Sequence, residues 1–489
     1  MENLPQEIID KIIKYVARLE GRSQWTFDGW KHMTKFAPRP HFASYATILR
    51  TWREAVEEVN FAELNINSDD FESFQAIVTG RRRALVRELS LTVTMPDCSD
   101  DVRHEDESDE EQQANNERFT RALCKFFSLL KVWEDEGMQT PLRLVIPVDN
   151  NCSPEDSLRG RKVAGWSGSC RFESSVIRFV QPYLLPILSN VTYLGVYGHG
   201  VRRLEPTMAT TIAASLPNLL ECRWELAQGD AWVLDEKIGN RAAFAKALKH
   251  MQLLPRATAS IEFQHEHVGD QRDRGQNFVP PGLSYDPFSA SLRMLSQNLA
   301  TMHVTACLDS TIFWPSAHEI DAITPHWPHL KELYIDFSML SPAGDWYFTG
   351  SEYDPDNDVF NDPEYYHEYY RIDPDPDSFT PFINAFAKAV ENMPVLEHFK
   401  LTSNLEDGEH EGNFSIAYYA PGRSAEREYE EEDNITFRRV IYELTYSAEW
   451  RPSYEVREAL KGIGKENFGK DVIEEFLGCD HESDSDEDE

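Results

Sequence analysis
The chain has 489 residues and carries 48 Lys and Arg against 84 Asp and Glu, a formal charge of −36. Such a surface repels nucleic-acid phosphates and anionic lipid headgroups, while 41% hydrophobic and 12% aromatic residues supply enough apolar surface to exclude wholesale disorder. Seven scattered cysteines without a C-x-x-C pair, an opening Met1-Glu2-Asn3-Leu4 that lacks a secretory pattern, and no run of about 18 uninterrupted apolar residues predict a reduced cytoplasmic or nuclear setting without a membrane span.

The first predicted element is a helix from Leu4 to Val16. Pro5 falls in its first turn, where a missing N–H costs nothing, and Glu7 sits near the positive helix end. Ile8, Ile9, Ile12, Ile13 and Val16 make an apolar stripe broader than one small packing partner covers. A second amphipathic helix carries Tyr45, Ile48, Leu49, Trp52, Ala55, Val56 and Val59, and Phe61, Leu64 and Ile66 lead into a first strand.

From there a helical segment, a short turn and a β-rich run recur. Leu216-Pro217-Asn218-Leu219 leads to Cys222, Trp224 and Leu226; Trp327-Pro328-His329-Leu330 leads to Leu333, Ile335 and Phe337; Met393-Pro394-Val395-Leu396 leads to Phe399 and Leu401. Helices are predicted before these strands over 207–215, 316–324 and 379–392. Looser copies of the strand fall at Leu85 to Val93, Leu142 to Val148, Val191 to Tyr197, Thr258 to Phe263 and Leu299 to Leu308, about eight units in all. Units that bury one face poorly alone must stack on neighbours, the logic of an irregular leucine-rich-repeat-like α/β solenoid. A doubly wound α/β domain is the competing reading, disfavoured because no Gly-rich first turn marks a nucleotide crevice. The expected organisation is a helical module over 1–66, a repeat region over 67–450 with acidic loops at 97–111 and 352–377, a helical segment over 451–478 and a disordered acidic tail over 479–489.

Motifs for chemistry are sparse. Gly464 to Lys470 fits G-x-x-x-x-G-K, but Asp471 follows where Ser or Thr would ligate magnesium, and Ser453 to Lys461 before it reads as a helix, so the glycines are expected to serve a turn. Asp354 to Asp358 opens like a calcium loop, yet Val359 and Tyr365 occupy the positions that need Gly and Glu. His265 and His267 lack a second ligand pair, and Gly165-Trp166-Ser167-Gly168-Ser169 ends in Ser where a nucleophile elbow needs Gly. No catalytic, cofactor-binding or metal-ligating residue is assigned, and the chain is not read as an enzyme.

The segments Leu4-Pro5-x-Glu7-Ile8-Ile9-x-x-Ile12, Ala46-Thr47-x-Leu49-x-x-Trp52-Arg53-x-Ala55-Val56-Glu57 and Phe61-x-x-Leu64 resemble the F-box of fungal F-box proteins, with an insert between Leu19 and His41. The resemblance implies a helical module that docks the Skp adaptor, and through it a cullin scaffold, while the repeat region selects a protein client for ubiquitination. Adaptor contact is then expected from Leu4, Pro5, Ile8, Ile9, Ile12, Leu49, Trp52 and Val56. Tyr365, Tyr366, Tyr369 and Tyr370, in the acidic insert, are expected client contacts, which favours a basic client. Two alternatives stay open: a repeat scaffold without a ligase link, in which the first helix only caps the array, and an unrecognised hydrolase.

Overall fold
The computed structural model describes residues 5–19, 42–96, 106–148, 172, 174–180, 185–198, 202–229, 232–264, 271, 273–319, 323–350, 371–406, 411–425, 435–445 and 450–478. The chain begins with α1 (Gln6–Leu19), a 3₁₀ turn at Phe42–Thr47, α2 (Arg50–Ala62), β1 (Glu63–Asn67) and α3 (Phe71–Ile77). Next come β2 (Glu88–Thr92), α4 (Asp109–Asp135), β3 (Leu142–Pro147), β4 (Val176–Ile177), β5 (Val191–Gly198), β6 (Arg203–Leu204) and α5 (Thr207–Ala213). The middle holds β7 (Glu221–Ala227), α6 (Leu234–His250), β8 (Thr258–Gln264), α7 (Pro287–Ser296), β9 (Thr301–Ala306), β10 (Glu332–Phe337), β11 (Phe348–Gly350) and β12 (Arg371–Pro374). The chain then forms α8 (Phe379–Val390), β13 (His398–Glu406), β14 (Glu411–Tyr419), β15 (Arg438–Leu444), α9 (Tyr454–Gly462), α10 (Lys465–Phe468) and β16 (Val472–Gly478).

Twelve described strands form one sheet in the order β1-β2-β3-β5-β7-β8-β9-β10-β13-β14-β15-β16. The order follows the sequence and never reverses, whereas a doubly wound sheet has a switch point. All pairs from β1 to β13 are parallel, β14 runs antiparallel to both neighbours, and β15 and β16 are parallel again. Period-2 alternation puts one side chain of every pair on each face. A ladder therefore runs in register from the half-buried Leu64 through the buried Leu89, Leu144, Leu194, Cys222, Ala259, Met302, Leu333 and Phe399. Against it lie the i, i+4 pairs of the helices: Phe119 and Leu123 of α4, Met208 and Ile212 of α5, Phe244 and Leu248 of α6, Phe288 and Leu292 of α7, Phe382 and Phe386 of α8 and Val456 and Leu460 of α9, all in one continuous core.

The apolar-Pro-x-Leu motif has a local cause. Its two apolar residues are buried in each copy, as Leu216 and Leu219, Trp327 and Leu330, and Met393 and Leu396. In the first and third copies the amide of the final Leu donates to the carbonyl of the first residue, at 3.2 and 3.3 Å, a four-residue turn with proline at its favoured second position. In these two copies one turn thus follows the helix and aims the next strand.

Several expectations are corrected. Among the described residues of 316–324 there is no helix: the chain makes a 3₁₀ turn at Ser310–Ile312 and a further turn over 316–319, with the Glu319 amide donating to the Ser316 carbonyl at 3.1 Å, and 320–322 lie outside the described residues. Pro315 and Pro325 bracket this stretch, and the residue before each proline is driven out of the helical region. The helical segment over 451–478 ends in strand β16, because Gly469, at φ 91°, breaks the helix and β15 offers an unpaired edge. The acidic loop over 97–111 ends early, since Ser108 caps α4 with a reciprocal capping box to Glu111 and residues 109–111 are its first turn. In the loop over 352–377, residues 371–374 form β12, which pairs with β11. Residues 97–105, 352–370 and the tail 479–489 lie outside the described residues. The boundary at 66 falls inside β1.

Candidate interaction surfaces
The N-terminal helices form a unit with its own core. The Gln6 side-chain amide donates to the Thr51 carbonyl at 3.3 Å, and Lys14 reaches Glu58 at 3.6 Å. Contacts spaced eight apart on one helix and seven on the other mean that α1 and α2 run in the same direction with their first turns together. Ile9, Ile13, Trp52, Ala55 and Val56 are buried between them, apart from the main core, and Tyr45 stacks on Trp52 at 6.3 Å. The expected adaptor set is therefore divided. Ile9, Trp52 and Val56 are consumed inside the pair and Ile12 is half-buried against it, whereas Pro5, Ile8 (40% exposed) and Leu49 (38%) face solvent, joined by Ile48 (42%). Leu4 lies outside the described residues, as do Tyr365, Tyr366, Tyr369 and Tyr370. Salt bridges Arg81–Glu54 at 3.0 Å and Arg82–Glu57 at 2.8 Å tie α2 to the turn before β2.

The second surface is the sheet face opposite the helices. Register places Gly195, Arg223, Ser260, His303, Tyr334 and Lys400 in one row across β5 to β13. The next row holds Tyr197, Glu225, Glu262, Thr305, Asp336 and Thr402. These polar side chains alternate with the buried ladder and are mostly half-buried, with Glu225 and Thr402 more deeply covered. Arg223 pairs with Glu225 at 3.0 Å, Arg143 lies over the Tyr193 ring at 3.5 Å, and the Tyr193 and Tyr197 hydroxyls meet at 3.3 Å. Toward the last strands the face is closed by a small apolar cluster of Ala417, Tyr419 and Ile441, with Ala425 and Leu477 packed on it. Burial pushes the Asp336 carboxyl up to about 6, the Glu262 charge adds to the effect, and Lys400 opposes it.

A third feature, unsuspected in the sequence, lies buried beyond the C-terminal ends of β8 to β10. Arg241 of α6 forks onto Asp286, the cap of α7, at 3.0 and 2.6 Å, and also donates to the Cys307 carbonyl at 2.6 Å. Asp286 further accepts from the amides of Phe288 and Ser289 and the Ser289 hydroxyl, and its own amide donates to Asp309 at 2.7 Å. Burial and then the Asp286 charge push the Asp309 carboxyl up to about 6, against hydrogen bonds from Thr311 and the Asp286 amide. The neighbouring loops are laced together by Gly275 to Gly344 at 3.1 Å, Phe278 to Pro342 at 2.7 Å and Trp346 to Asp273 at 2.8 Å. Buried carboxylates with their acceptors taken up by protein donors anchor loops. The signal available in the sequence was Asp286-Pro287, a cap followed by an N1 proline.

The remaining motifs resolve as follows. Gly464 adopts φ 68° under the Tyr418 hydroxyl, between two helices with no strand entering, and the Lys470 carbonyl accepts from Arg438 at 2.8 Å. Its backbone forms a turn, not a phosphate cradle. His265, His267 and Ser167 lie outside the described residues. Among the described residues no group of three or more His, Cys, Asp or Glu is placed to hold a metal ion, and no helix is long and apolar enough to cross a membrane. Cys222 and Cys307 are free and buried, and burial pushes their thiols up to about 12. In comparisons with known proteins, the chain matches no family model, no curated protein and no solved structure.

Proposed function
We propose that this chain is a non-enzymatic substrate-recognition subunit of an SCF-type ubiquitin ligase. In this reading α1 and α2 dock the Skp adaptor, and through it a cullin, while the strand-helix array is an irregular leucine-rich-repeat-like solenoid whose open sheet face meets a protein client. The observation that carries the reading is the self-contained helix pair: five residues satisfy its own core, yet Pro5, Ile8, Ile48 and Leu49 remain at the surface of the turns that meet. Apolar anchors clustered on a small rigid unit are what a partner pocket takes up. Sequential, mostly parallel strand order suits stacked repeats, and holding a client near a charged conjugating enzyme needs only proximity.

One observation favours a second reading, a scaffold without a ligase link. The chain passes from α2 into β1 with no intervening residue, so the pair is placed to cap the sheet's first edge. A pull-down of the full chain from cells, read by mass spectrometry, separates the two: stoichiometric Skp adaptor and cullin support the ligase reading, and their absence leaves the scaffold.

A further inference from the structure
We propose that the free edge of β16 takes up an extended, Lys- or Arg-bearing segment of a partner protein as one more strand of the sheet. The inference goes beyond the ligase reading and stands on observations apart from it.

Every second residue of an edge strand turns its N–H and C=O away from the sheet, where they can pair with whatever strand lies alongside. Strand β16 is last in the described order and is bonded to β15 alone, through seven residue pairs without a register shift. Among the described residues, Val472, Ile473, Glu474, Phe476, Leu477 and Gly478 make no backbone hydrogen bond outside that ladder. Six of the seven residues of β15 are buried, whereas none of β16 is. Native edges are blunted by proline, lysine, a bulge or short length, and Val472-Ile473-Glu474-Glu475-Phe476-Leu477-Gly478 has none of these.

The edge is also held in place. Phe476 stacks on Tyr442 with ring centres 4.5 Å apart, Val472 packs on the large core, and Leu477 packs on the cluster of Ala417, Tyr419 and Ile441. Arg457, at 2.8 and 2.5 Å, and Lys461, at 3.0 Å, take up the Glu474 carboxylate. A template fixed before binding loses little freedom when a strand is added.

Charge selects the occupant. A second copy brings another formal charge of −36, and a two-fold pairing centred on the strand sets Glu475 opposite Glu475, which is unfavourable. In the sequence Asp471 precedes the strand and seven carboxylates stand among residues 479–489 that follow it, so a basic segment is drawn to this edge and an acidic one repelled.

The test uses the full chain and a fluorescent probe, Gly-Val-Lys-Val-Arg-Val-Lys-Val-Gly, read by fluorescence polarisation. Two further probes carry N-methyl groups, one on the valine amides and the other on the Lys and Arg amides, which point to opposite edges of an extended peptide and leave its charge unchanged. Strand addition predicts that one methylated probe binds within threefold of the parent probe while the other loses at least tenfold. A probe with Glu in place of Lys and Arg should lose at least tenfold. Hydrogen exchange read by mass spectrometry should slow at least fivefold over 472–478 with the basic probe and stay unchanged over 63–67, the opposite edge. No binding, equal affinities of the two methylated probes, equal binding of the Glu probe, or unchanged exchange over 472–478 overturns the proposal. Protection there that grows with chain concentration in the absence of probe also overturns it and assigns the edge to a second copy. None of these readouts involves adaptor docking on α1 and α2, so failure here leaves the ligase reading untouched.

Discussion

Asp336 and Asp309 have carboxyls pushed to about the same value, about 6, for the same first reason, burial, and differ in what surrounds them. Asp309 accepts from the Asp286 amide at 2.7 Å and the Thr311 amide at 2.9 Å; among the described residues no such donor answers Asp336. The sign follows from linkage: a native pKa above the unfolded one means the native state binds the extra proton, so the parent loses stability as pH rises through the interval from about 4 to about 6. Asp336→Asn is therefore expected to raise stability at pH 7.5, by at most about 3 kcal/mol for a shift of about two units, with the advantage fading on acidification to pH 4; urea titrations at both pH values check it. Arg241 presents the opposite case. Replacing it with Ala strands Asp286, which is fully buried, and should cost about 3–5 kcal/mol, visible as a fall in the urea midpoint. The alternation that buried Leu333 and Ile335 was legible in the sequence and, by the same parity, so was the open face holding Tyr334 and Asp336. That Asp336 would share a row with Glu262, with Thr305 of β9 between them, was not, since register between strands far apart in sequence leaves no mark in any of them.

At the scale of elements, legibility tracks how cleanly burial follows a period. Strands β7, β10 and β13 were read from alternation plus the proline turn that starts each. Strand β14 escaped because residues 414–419 are buried on both faces, which erases period 2. Helix α6 escaped because its inward face carries Lys237 and Arg241, both buried, so that polar residues interrupt the stripe. Helix α4 escaped through its acidic start, which reads as solvated loop although negative charge in a first turn favours the helix. That start is testable: Ser108→Ala removes the side-chain oxygen that accepts from the Glu111 amide and should destabilise the N-terminal turns of α4 by about 1 kcal/mol, seen as faster amide exchange there while the core segment around Phe126 keeps its protection. Exchange unchanged at the first turns of α4 would mean that the capping box contributes nothing.

For the whole molecule, two cores of unequal size underlie the proposed division of labour. The large one spans every layer from β1 to α9, and the small one, five residues between α1 and α2, is separate from it. Damage to the outer face of the small unit should leave the large one intact. The residues expected to touch the adaptor were half legible: the apolar stripe of α1 shows that more side chains exist than one helix needs, but which of them turn toward α2 depends on the parallel pairing, and that was not written in the stripe. Ile8 and Leu49 are exposed members of the expected set, while Ile9, Trp52 and Val56 hold the pair together. The most direct measurement is calorimetric titration of the purified full chain with purified Skp adaptor, alongside the double variant Ile8→Asp, Leu49→Asp. The account predicts one-to-one binding by the parent, an affinity loss of at least a hundredfold in the variant from charging two interface anchors, and the same thermal unfolding of the large core in both. No heat of binding with the parent, or equal affinity in parent and variant, would contradict it.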